Sequence, residues 1–501
     1  MTETFYGDCD PIFDSAKQDE IQKWKLFKTF NEVPNNGQKA ISTRWVCTRK
    51  MKGNKMVCKA RLVARGFEEN SKALQTDSPT CSKESLRIVL AIISSYEWKL
   101  HSLDIKSAFL QGAPMDRNVF IKPPEEAKTT MLWNMVRCPY GLADAGRHWY
   151  MRLRKELIEA GMIISKYDQA LFRWYLDGKL CGLLVCHVDD ILFGGQEQFH
   201  DKVINKIRRI FAVGLEENTN LKYLGLTITQ SEYGIKVSTS HYAKSLKSIP
   251  VSATSEEGFS SEQTKTLKQF CGQINWLTSQ GRPDIAFDSC YIANSLKTGN
   301  SNVFHFANKT IRKIQQQEVN LNFPSAIDFQ TCKVVSFCDA SHANLPNAGS
   351  QGGFVSFIVD QNGLYCPITW QSRKLRRVVK STIAAECLAA VEACEMSTYL
   401  AFVLKEILRP TRCIETVVYC DNKNLVNTVH STTNLEDKRL LIDMSILRDM
   451  LLQRELSGFL WVSTDYQLAN PLTKLGASCK LLVNVLNNLN LRFYKHTVSF
   501  K

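Results

Sequence analysis

The sequence predicts a multidomain protein that combines α+β and α/β architecture, and three features of the 501 residues support this class. The length and the hydrophobic content of 44% allow roughly three domains at about 150 residues each. Short apolar segments with strand propensity recur along the chain, and several of them end at an aspartate. Amphipathic segments with helical spacing lie between them.

The segment around Asp189 and Asp190 predicts the tip of a β-hairpin. The apolar runs Leu183 to Cys186 and Ile191 to Phe193 flank the two acids, and both runs favour strands. A lone Asp-Asp pair is most often a solvated turn, because aspartate hydrogen-bonds the turn backbone. The hairpin alone therefore does not define a site.

A third acid lies at the end of another apolar strand, Leu103 to Phe109, which contains Asp104. One carboxylate there and two at the hairpin suit a pair of divalent ions about 3.5–4 Å apart, the arrangement used for in-line phosphoryl and nucleotidyl transfer. These acids make polymerase chemistry the hypothesis to test.

Net charge predicts a polyanionic partner. The chain has 63 Lys and Arg against 49 Asp and Glu, a formal charge of +14, which favours nucleic acid. A generically basic soluble protein is the alternative. The 17 cysteines form no Cys-x-x-Cys pair and predict reduced thiols of an intracellular protein. No run with the length of a membrane span is expected, and no secretion signal follows Met1.

Two amphipathic segments predict scaffold helices. Ser82 to Tyr96 is expected to pack under the Asp104 strand, and Ala145 to Ala160 is expected to end at a cap formed by Gly161. About the first twenty residues are expected to be loosely ordered. The segment from Gln230 to Pro324 is predicted to be mainly helical, with an exposed loop over Ser252 to Thr264.

Cations alternate along Lys59 to Arg65. In a strand, Lys59 and Arg61 project from one face, where they suit a triphosphate or a template backbone. A solvated edge strand protected by charge explains the same pattern equally well.

A second group of acids is predicted in the distal third. The run Val334 to Cys338 ends at Asp339, with Gly352 to Ile358 as its antiparallel neighbour. A long helix from Ser381 carries Glu386 in its early turns, and the strand Thr416 to Cys420 ends at Asp421. These three acids are expected to converge on one metal site.

Together these segments resemble the reverse transcriptase and ribonuclease H portion of copia-type retrotransposon polyproteins, from about Trp24 to Lys474. The motifs that carry the resemblance, in chain order, are Lys59 to Phe67, Asp104 to Gly112, Tyr140 to Leu142 with Arg147 and Trp149-Tyr150, Val188 to Asp190, Leu221 to Gly225, Arg282 to Ala286, Trp370 with Ser372, Ala385-Glu386, Tyr419 to Asn422, and Leu472 to Lys474. The segments of a protease, zinc knuckle or integrase are not found, so the chain is expected to be the distal part of a larger polyprotein.

The resemblance implies a right-hand polymerase of fingers, palm and thumb followed by a ribonuclease H-like α/β domain. It places a lead-in at 1–20, fingers and palm at 21–235, thumb and connection at 236–328, the ribonuclease H-like domain at 329–475, and a tail at 476–501.

The resemblance also implies roles in the polymerase site. Asp104 and Asp189 are the metal-binding palm acids, and Asp190 completes the paired acid. Phe109 crowds the sugar 2′ position. The other residues implied to bind substrate are Lys59 and Arg61 at the triphosphate, Arg147, and Tyr223 and Gly225 at the primer end.

In the distal domain, the resemblance implies that Asp339, Glu386 and Asp421 hold the metals that cut the RNA strand of a hybrid. The expected cofactor is Mg²⁺, with Mn²⁺ as the alternative. The expected partners are an RNA template, a DNA primer, an RNA/DNA hybrid and deoxynucleoside triphosphates, without a membrane. The basic run Arg373 to Lys380 is either a backbone grip or a solvated loop. The expected location is intracellular, in a cytoplasmic virus-like particle with nuclear entry; the oligomeric state is open.

Three residues depart from the family pattern. His187 stands where a tyrosine is common, and Asp144 where a glutamine lies near the nucleotide, unless Asp144 faces away. Asn470 replaces the fourth ribonuclease H acid, which predicts impaired RNA cleavage with polymerisation less affected. A decayed, inactive copy that binds nucleic acid is therefore the alternative to an active polymerase. A metal nuclease alone does not explain Asp104, Phe109 and the hairpin acids.

Overall fold

The computed structural model of the chain describes residues 2–6, 10–52, 55–70, 72–251, 258–296, 302–345, 348–432 and 435–488. The chain forms two compact units that alternate along the sequence. The first comprises Met1–Cys81 and Leu103–Glu216, and the second comprises Ser82–Ser102 and Glu217–Lys501. The mixed α/β multidomain class is confirmed, whereas the predicted domain limits stay a prediction.

The first unit is built on three sheets. Its helices are α1 (Asp14–Leu26), α3 (Ala145–Glu159), α4 (Glu197–Phe199) and α5 (Asn205–Ile210). Its strands, two of which run past a unit limit, are β1 (Thr2–Tyr6), β2 (Phe30–Val33), β3 (Ala40–Ile41), β4 (Thr43–Lys52), β5 (Lys55–Ala64), β6 (His101–Ile105), β7 (Phe120–Ile121), β8 (Leu132–Met135), β9 (Ile163–Ile164), β10 (Leu171–Leu176), β11 (Lys179–His187), β12 (Asp190–Gly195) and β13 (Val213–Asn218).

The second unit combines two sheets with a helical region. Its helices are α2 (Lys83–Ser95), α6 (Ser240–Ser245), α7 (Ser261–Gly281), α8 (Ala286–Ser295), α9 (Asn302–Gln316), α10 (Thr382–Leu408), α11 (Lys423–His430), α12 (Lys438–Leu452) and α13 (Lys480–Asn487). Its strands are β14 (Asn220–Tyr223), β15 (Leu226–Ser231), β16 (Gly234–Ser238), β17 (Asn320–Pro324), β18 (Lys333–Leu345), β19 (Gly349–Val359), β20 (Tyr365–Lys374), β21 (Glu415–Cys420) and β22 (Gly458–Trp461).

A six-stranded sheet in the order β13-β6-β12-β11-β10-β9 holds the first group of acids. The β11–β12 pair is the predicted hairpin, and its apolar residues are buried. Helix α3 packs on this sheet through Trp149, Leu153 and Leu157, as the helical spacing predicted. Gly161 follows the helix with φ +87°, so the predicted C-terminal cap is confirmed.

Two sequence expectations about local structure are wrong. Helix α2 belongs to the second unit, where it packs on β17 and β20 rather than under the Asp104 strand. Its residues from Ser85 to Ser94 are all buried, so a single apolar stripe did not identify its neighbours. Within the supposed loose lead-in, Asp14–Leu26 is a helix, anchored by the buried Ile21 and Trp24.

The mainly helical region predicted between 230 and 324 contains α6 to α9, whose apolar faces share one core. Residues 252–257 of the expected exposed loop lie outside the described residues. Helix α7 begins earlier than that loop allowed, because Ser260 and Gln263 form a capping box at its start.

The distal sheet has the order β20-β19-β18-β21-β22. Strands β18, β19 and β20 pair antiparallel, while β21 and β22 run parallel to β18. Helix α10, with α11 and α12, shares a core with this sheet. The three predicted distal elements, β18, the helix after Ser381 and β21, are confirmed.

Helix α10 is also long and apolar enough, by length and composition alone, to cross a membrane. Such a helix contradicts the expectation that no run reaches that length. In this fold it packs against β18 and β19, and 61% of its most apolar window is buried. The core helix of a globular domain has the same composition, so the length carries little weight.

The expectation that all cysteines are reduced thiols needs one correction. Fifteen cysteines of the described residues are free, most of them buried, whereas Cys47 is in a disulfide. Burial raises the pKa of several of these thiols, for example that of Cys186 to about 12. A buried thiol of this kind acts as a small apolar side chain.

The Arg282-Pro283-Asp284 motif forms a buried ion pair between α7 and α8. Arg282 Nε and Nη2 donate to the two Asp284 carboxylate oxygens at 2.8 and 2.9 Å, and Nη1 donates to the Ile314 carbonyl at 3.1 Å. Both side chains are at most 2% exposed. The pair ties the start of α8 to the end of α9.

We expect Arg282→Ala to destabilise the second unit by about 3–5 kcal/mol, because it leaves the Asp284 carboxylate buried without its partner. Urea unfolding followed by tryptophan fluorescence measures the loss. The double variant Arg282→Ala/Asp284→Ala should recover part of it. Arg209→Ala, at an exposed position, should stay within about 0.5 kcal/mol of the parent. A single variant no less stable than the double variant would contradict this account.

Candidate functional site

The hairpin between β11 and β12 presents Asp189 in a two-residue turn. His187 pairs with Asp190 at the ends of the strands, so Val188 and Asp189 form the turn itself. Val188 has φ +59°, a left-handed conformation that a β-branched residue rarely adopts. The Trp149 indole donates to the Val188 carbonyl at 2.6 Å and holds this turn. A strained turn fixed from outside is typical of functional sites.

The hairpin is joined to the strand that carries Asp104. The Ile105 amide donates to the Asp189 carbonyl at 3.0 Å, and β6 lies beside β12 in the sheet. The structure therefore brings Asp104, Asp189 and Asp190 to one end of neighbouring strands.

Like charges interact strongly among these acids. Burial, together with the negative charges of Asp189 and Asp104, raises the pKa of Asp190 to about 6. The pKa of Asp104 is raised by burial and by Asp189, while Lys59 and Lys106 lower it. The protein supplies too little positive charge for three carboxylates here. Oxygen ligands with excess negative charge are the donor set that Mg²⁺ and Mn²⁺ prefer.

Gly214 makes room for the Asp104 side chain. A Cβ at this position would lie 2.1 Å from Asp104 Oδ2 and 3.1 Å from its Cγ. Any larger residue at 214 must therefore displace the carboxylate. No local pattern indicates this role, because Gly214 lies more than a hundred residues from Asp104 and the β13–β6 pairing brings them together.

Tyr140 connects the acids with the predicted nucleotide-binding residues. Its ring centroid lies 5.3 Å from that of Phe109, and the Arg61 guanidinium lies 4.4 Å above the ring. Burial raises the pKa of Tyr140, Arg61 lowers it and Asp189 raises it, so these charges act on one hydroxyl. Sequence reasoning used Tyr140 as a family motif and missed it as a site residue.

The predicted cationic face of β5 is confirmed as a surface. Lys59, Arg61 and Arg65 are exposed, while Ala60, Leu62 and Ala64 are buried. Only this alternation was predictable from the sequence.

Other predicted substrate residues have partners of their own or belong to the second unit. Arg147 pairs with Asp77 at 2.6 Å and donates to the Gln75 side chain at 2.7 Å. Tyr223 and Gly225 belong to the second unit, at the turn between β14 and β15. Gly225 has φ +81°, and a Cβ there would lie 3.0 Å from the Trp276 ring.

Two departures from the family pattern have structural explanations. Asp144 is 3% exposed, pairs with Arg117 at 2.5 and 3.0 Å, and contacts His148 at 3.2 Å. The Asp144 carboxylate is therefore compensated within the fold. Burial raises its pKa, but the hydrogen bonds to His148 and Arg117 outweigh burial and hold the pKa well below the usual range. His187 is half-buried, and burial lowers its pKa. A neutral imidazole at that position adds no cation beside the acids.

The distal acids also converge. Single ligand atoms of Glu386, Cys420 and Asp421 lie within 4.8 Å of one another. Asp339 is fully buried on β18. Burial, together with the negative charge of Asp421, raises the pKa of Asp339 to about 6. Burial and the Asp339 charge raise the pKa of Glu386 well above its usual range. The carboxylates suit a hard divalent ion, whereas the Cys420 thiol does not.

Two polar groups orient these distal acids. The Ala340 amide donates to Glu386 Oε2 at 3.0 Å, and the Thr464 hydroxyl donates to Asp421 Oδ2 at 2.9 Å. Each contact fixes a carboxylate on a different element, α10 or the end of β21.

The residue that replaces the fourth acid is bound to a lysine. Lys474 Nζ lies 2.6 Å from Asn470 Oδ1 and 3.2 Å from Asp339 Oδ1. The Thr473 hydroxyl donates to Asp339, and Asn470 Nδ2 donates to the Thr464 carbonyl at 3.2 Å. The Lys474 ammonium is thus a built-in cation beside Asp339, a role that the sequence did not reveal.

The basic run before α10 is partly neutralised within the fold. Arg373 pairs with Glu392, and Arg377 pairs with Asp443. Two of its five cations are thus occupied by acids of α10 and α12.

Residues 24–253 match the reverse transcriptase (RNA-dependent DNA polymerase) family. This matching stretch contains Asp104 and the hairpin acids.

Over most of its length, the chain is similar to Pol polyproteins of copia-type retrotransposons. It is 25% identical over 462 residues to the retrovirus-related Pol polyprotein from transposon RE1 of Arabidopsis thaliana, a match that covers 87% of this chain and 30% of the relative. It is 24% identical over 518 residues to that from transposon TNT 1-94 of Nicotiana tabacum, covering 94% and 38%. The chain thus spans about a third of the length of these curated relatives.

Solved structures of ribonucleases H are also similar to part of the chain. Ribonuclease H1 from the halophilic archaeon Halobacterium salinarum is 15% identical with a TM-score of 0.22, covering 28% of this chain and 94% of that one. LC11-RNase H1 in complex with an RNA/DNA hybrid is 17% identical with a TM-score of 0.23, and the coverage is the same.

We expect the Asp190 carboxyl group to titrate near pH 6 in the metal-free protein, because burial and the neighbouring carboxylates raise its pKa. The folded chain then keeps a proton that the unfolded chain releases near 3.8, so stability should fall as the pH rises from about 3.8 to about 6. Carbon-13 NMR of labelled aspartate measures the midpoint. Asp189→Asn should lower it, because one repelling charge is removed. A midpoint unchanged by that variant would contradict repulsion between Asp189 and Asp190.

We expect Gly214→Ala to weaken Mn²⁺ binding at the hairpin by roughly tenfold or more, equivalent to about 1.4 kcal/mol, because the new methyl group displaces the Asp104 carboxylate. Calorimetric titration in an Asp421→Asn background isolates this site from the distal acids. Gly272→Ala is the control, since a Cβ there meets no atom within 4 Å. Equal affinity in both variants would show that Asp104 is not a ligand.

Proposed function

We propose that the chain is an RNA-directed DNA polymerase of a copia-type retrotransposon, with fingers, palm and thumb, that copies RNA into DNA. The observation that carries this proposal is the convergence of Asp104 with the hairpin acids Asp189 and Asp190, inside the stretch that matches the reverse transcriptase family. The cationic face of β5 lies in the same unit as these acids.

In this mechanism the primer 3′-hydroxyl attacks the α-phosphate of a deoxynucleoside triphosphate. The bond to the β-phosphate breaks and pyrophosphate leaves. Divalent ions, Mg²⁺ or Mn²⁺, held by Asp104 and Asp189, supply Lewis-acid activation and charge neutralisation when bound. Asp190 adds negative charge beside these two acids, and burial and its acidic neighbours raise its pKa to about 6.

The remaining residues bind and orient the nucleotide. Lys59 and Arg61 neutralise the triphosphate, and the Arg61 guanidinium is held by its stacking on Tyr140. The Phe109 ring, packed on Tyr140, stands against the sugar and excludes a 2′-hydroxyl. Tyr223 and Gly225 grip the primer end, and Arg147 adds to the binding of substrate through the loop that contains Asp77.

The distal acids Asp339, Glu386 and Asp421 are the candidates for an attached ribonuclease H, which cuts the RNA strand of an RNA/DNA hybrid. Their mutual repulsion, seen in the raised pKa of Glu386 and Asp339, favours binding of divalent ions. Asn470 contributes no charge and is engaged by Lys474, so this activity is proposed to be impaired.

We further propose that the polymerase acts on an RNA template and a DNA primer inside an intracellular particle, with later entry into the nucleus. The alternative of a decayed copy rests less on Asp144, because this acid forms an ion pair with Arg117 inside the fold.

We expect the full chain to extend a primer on an RNA template with deoxynucleotides and Mg²⁺. Asp189→Asn/Asp190→Asn should lower the rate by roughly 10³-fold or more, because charge that develops in the transition state loses its cation-binding groups. The control Asp116→Asn/Asp177→Asn makes the same charge change at exposed positions and should extend normally. No extension by the parent, with hybrid binding intact, would favour the decayed copy.

We expect Asn470→Asp to increase cleavage of the RNA strand of a hybrid by roughly tenfold, because a carboxylate at this position adds a charged oxygen ligand. Primer extension should not change. Asn424→Asp, at an exposed position of α11, is the matched control. If cleavage by Asn470→Asp equals that of the parent, the amide does not limit this site.

A further inference from the structure

Three cavities join end to end beside helix α9 in the second unit. Their volumes are about 500, 740 and 440 Å³. The first two share Lys309 and Arg312 as lining residues, and the last two share Lys474 and Lys480. The cavities therefore form one continuous depression, here called the cationic trough, between α9 and the segment 471–480.

The charges that line the trough are mostly positive and uncompensated. Lys309 and Arg312 are exposed, three residues apart on α9, and Lys480 begins α13. Across the described ranges, none of the three forms an ion pair. Two acids line the trough, Asp288 and Asp465.

The two lining acids leave the net charge of the trough positive. Asp288 pairs with Lys313 at 3.2 Å, and the same ammonium donates to the Asp284 carbonyl at 2.8 Å. Lys313 thus cancels Asp288 and is not counted among the free cations. The net charge of the lining favours a polyanion.

The spacing of the cations suits a nucleic acid backbone. Successive residues of an α-helix rise about 1.5 Å, so Lys309 and Arg312, three residues apart, are separated by about 4.5 Å along the axis of α9. Phosphates of one strand of a duplex repeat about every 3.4 Å along its axis, so these two cations suit two neighbouring phosphates. Lys and Arg at this spacing hold a backbone without distinguishing its sequence.

The trough leads to the distal acids. Lys474 lines two of the cavities, and its Nζ lies 3.2 Å from Asp339 Oδ1. Asn470, which lines the third cavity, accepts from the same ammonium at 2.6 Å. A strand lying in the trough therefore ends next to Asp339, the acid on β18.

We propose that the cationic trough binds the sugar-phosphate backbone of an RNA/DNA hybrid and directs its RNA strand to Asp339, Glu386 and Asp421. The inference rests on the ribonuclease H function proposed for those acids. It assigns to α9 a role in hybrid binding that depends on Lys309 and Arg312, neither of which belongs to the acid cluster.

The test measures hybrid binding by the full chain, using fluorescence anisotropy of a short blunt-ended RNA/DNA hybrid without divalent ions, over a range of salt concentrations. Lys309→Gln/Arg312→Gln should reduce the slope of log affinity against log salt by about 2, since each phosphate contact contributes about 0.9. Lys244→Gln/Lys247→Gln is the matched control, because it removes two exposed cations with the same spacing outside the trough. The control should keep the slope of the parent.

Equal slopes for the trough variant and the control would overturn the inference. So would failure of the parent to bind the hybrid at low salt. Addition of Mg²⁺ separates this result from the proposed function. A reduced slope in the trough variant, with no cleavage by the parent or by Asn470→Asp, would support the trough and reject the ribonuclease H. Primer extension by the trough variant should match the control, which shows that the variant is folded.

Discussion

Repulsion between carboxylates that cannot move apart is the constraint on which both sites depend. Burial raises the pKa of Asp190 at the hairpin and of Glu386 on the distal sheet, and repulsion from neighbouring carboxylates adds to both shifts. Such clusters destabilise a fold unless rigid elements hold them and cations neutralise them. The secondary structure around each cluster is best understood as the means of holding the acids at fixed positions.

The two clusters meet this constraint in different ways. At the hairpin, a backbone hydrogen bond from Ile105 to Asp189 and the strained turn at Val188, held by Trp149, fix the acids. Lys59 and Lys106 lower the pKa of Asp104, but burial and Asp189 keep it raised. On the distal sheet, the Lys474 ammonium forms an ion pair with Asp339. The hairpin therefore keeps more uncompensated negative charge, and the distal site already carries one internal cation.

Local patterns in the sequence predicted the elements that hold these acids. Alternation and apolar runs identified β11, β12, β18 and β21. A strand that is buried on both faces has a continuous apolar sequence, and a charged residue marks its end. The same reasoning failed for α2: its residues are buried on all sides, so periodicity could not tell which sheet it contacts. Contacts distant in sequence, such as Gly214 against Asp104 or Arg117 against Asp144, leave no local pattern. Asp144 shows the consequence, since an acid suspected of facing a nucleotide is instead a structural partner.

The internal cation at the distal site bears on how Asn470 came to be tolerated. A carboxylate at position 470 would share Lys474 with Asp339, and the ammonium would then compensate two charges. With the amide present, the ammonium compensates Asp339 alone, so the cluster loses one negative charge without leaving a buried acid unpaired. An amide at position 470 is therefore compatible with the distal fold.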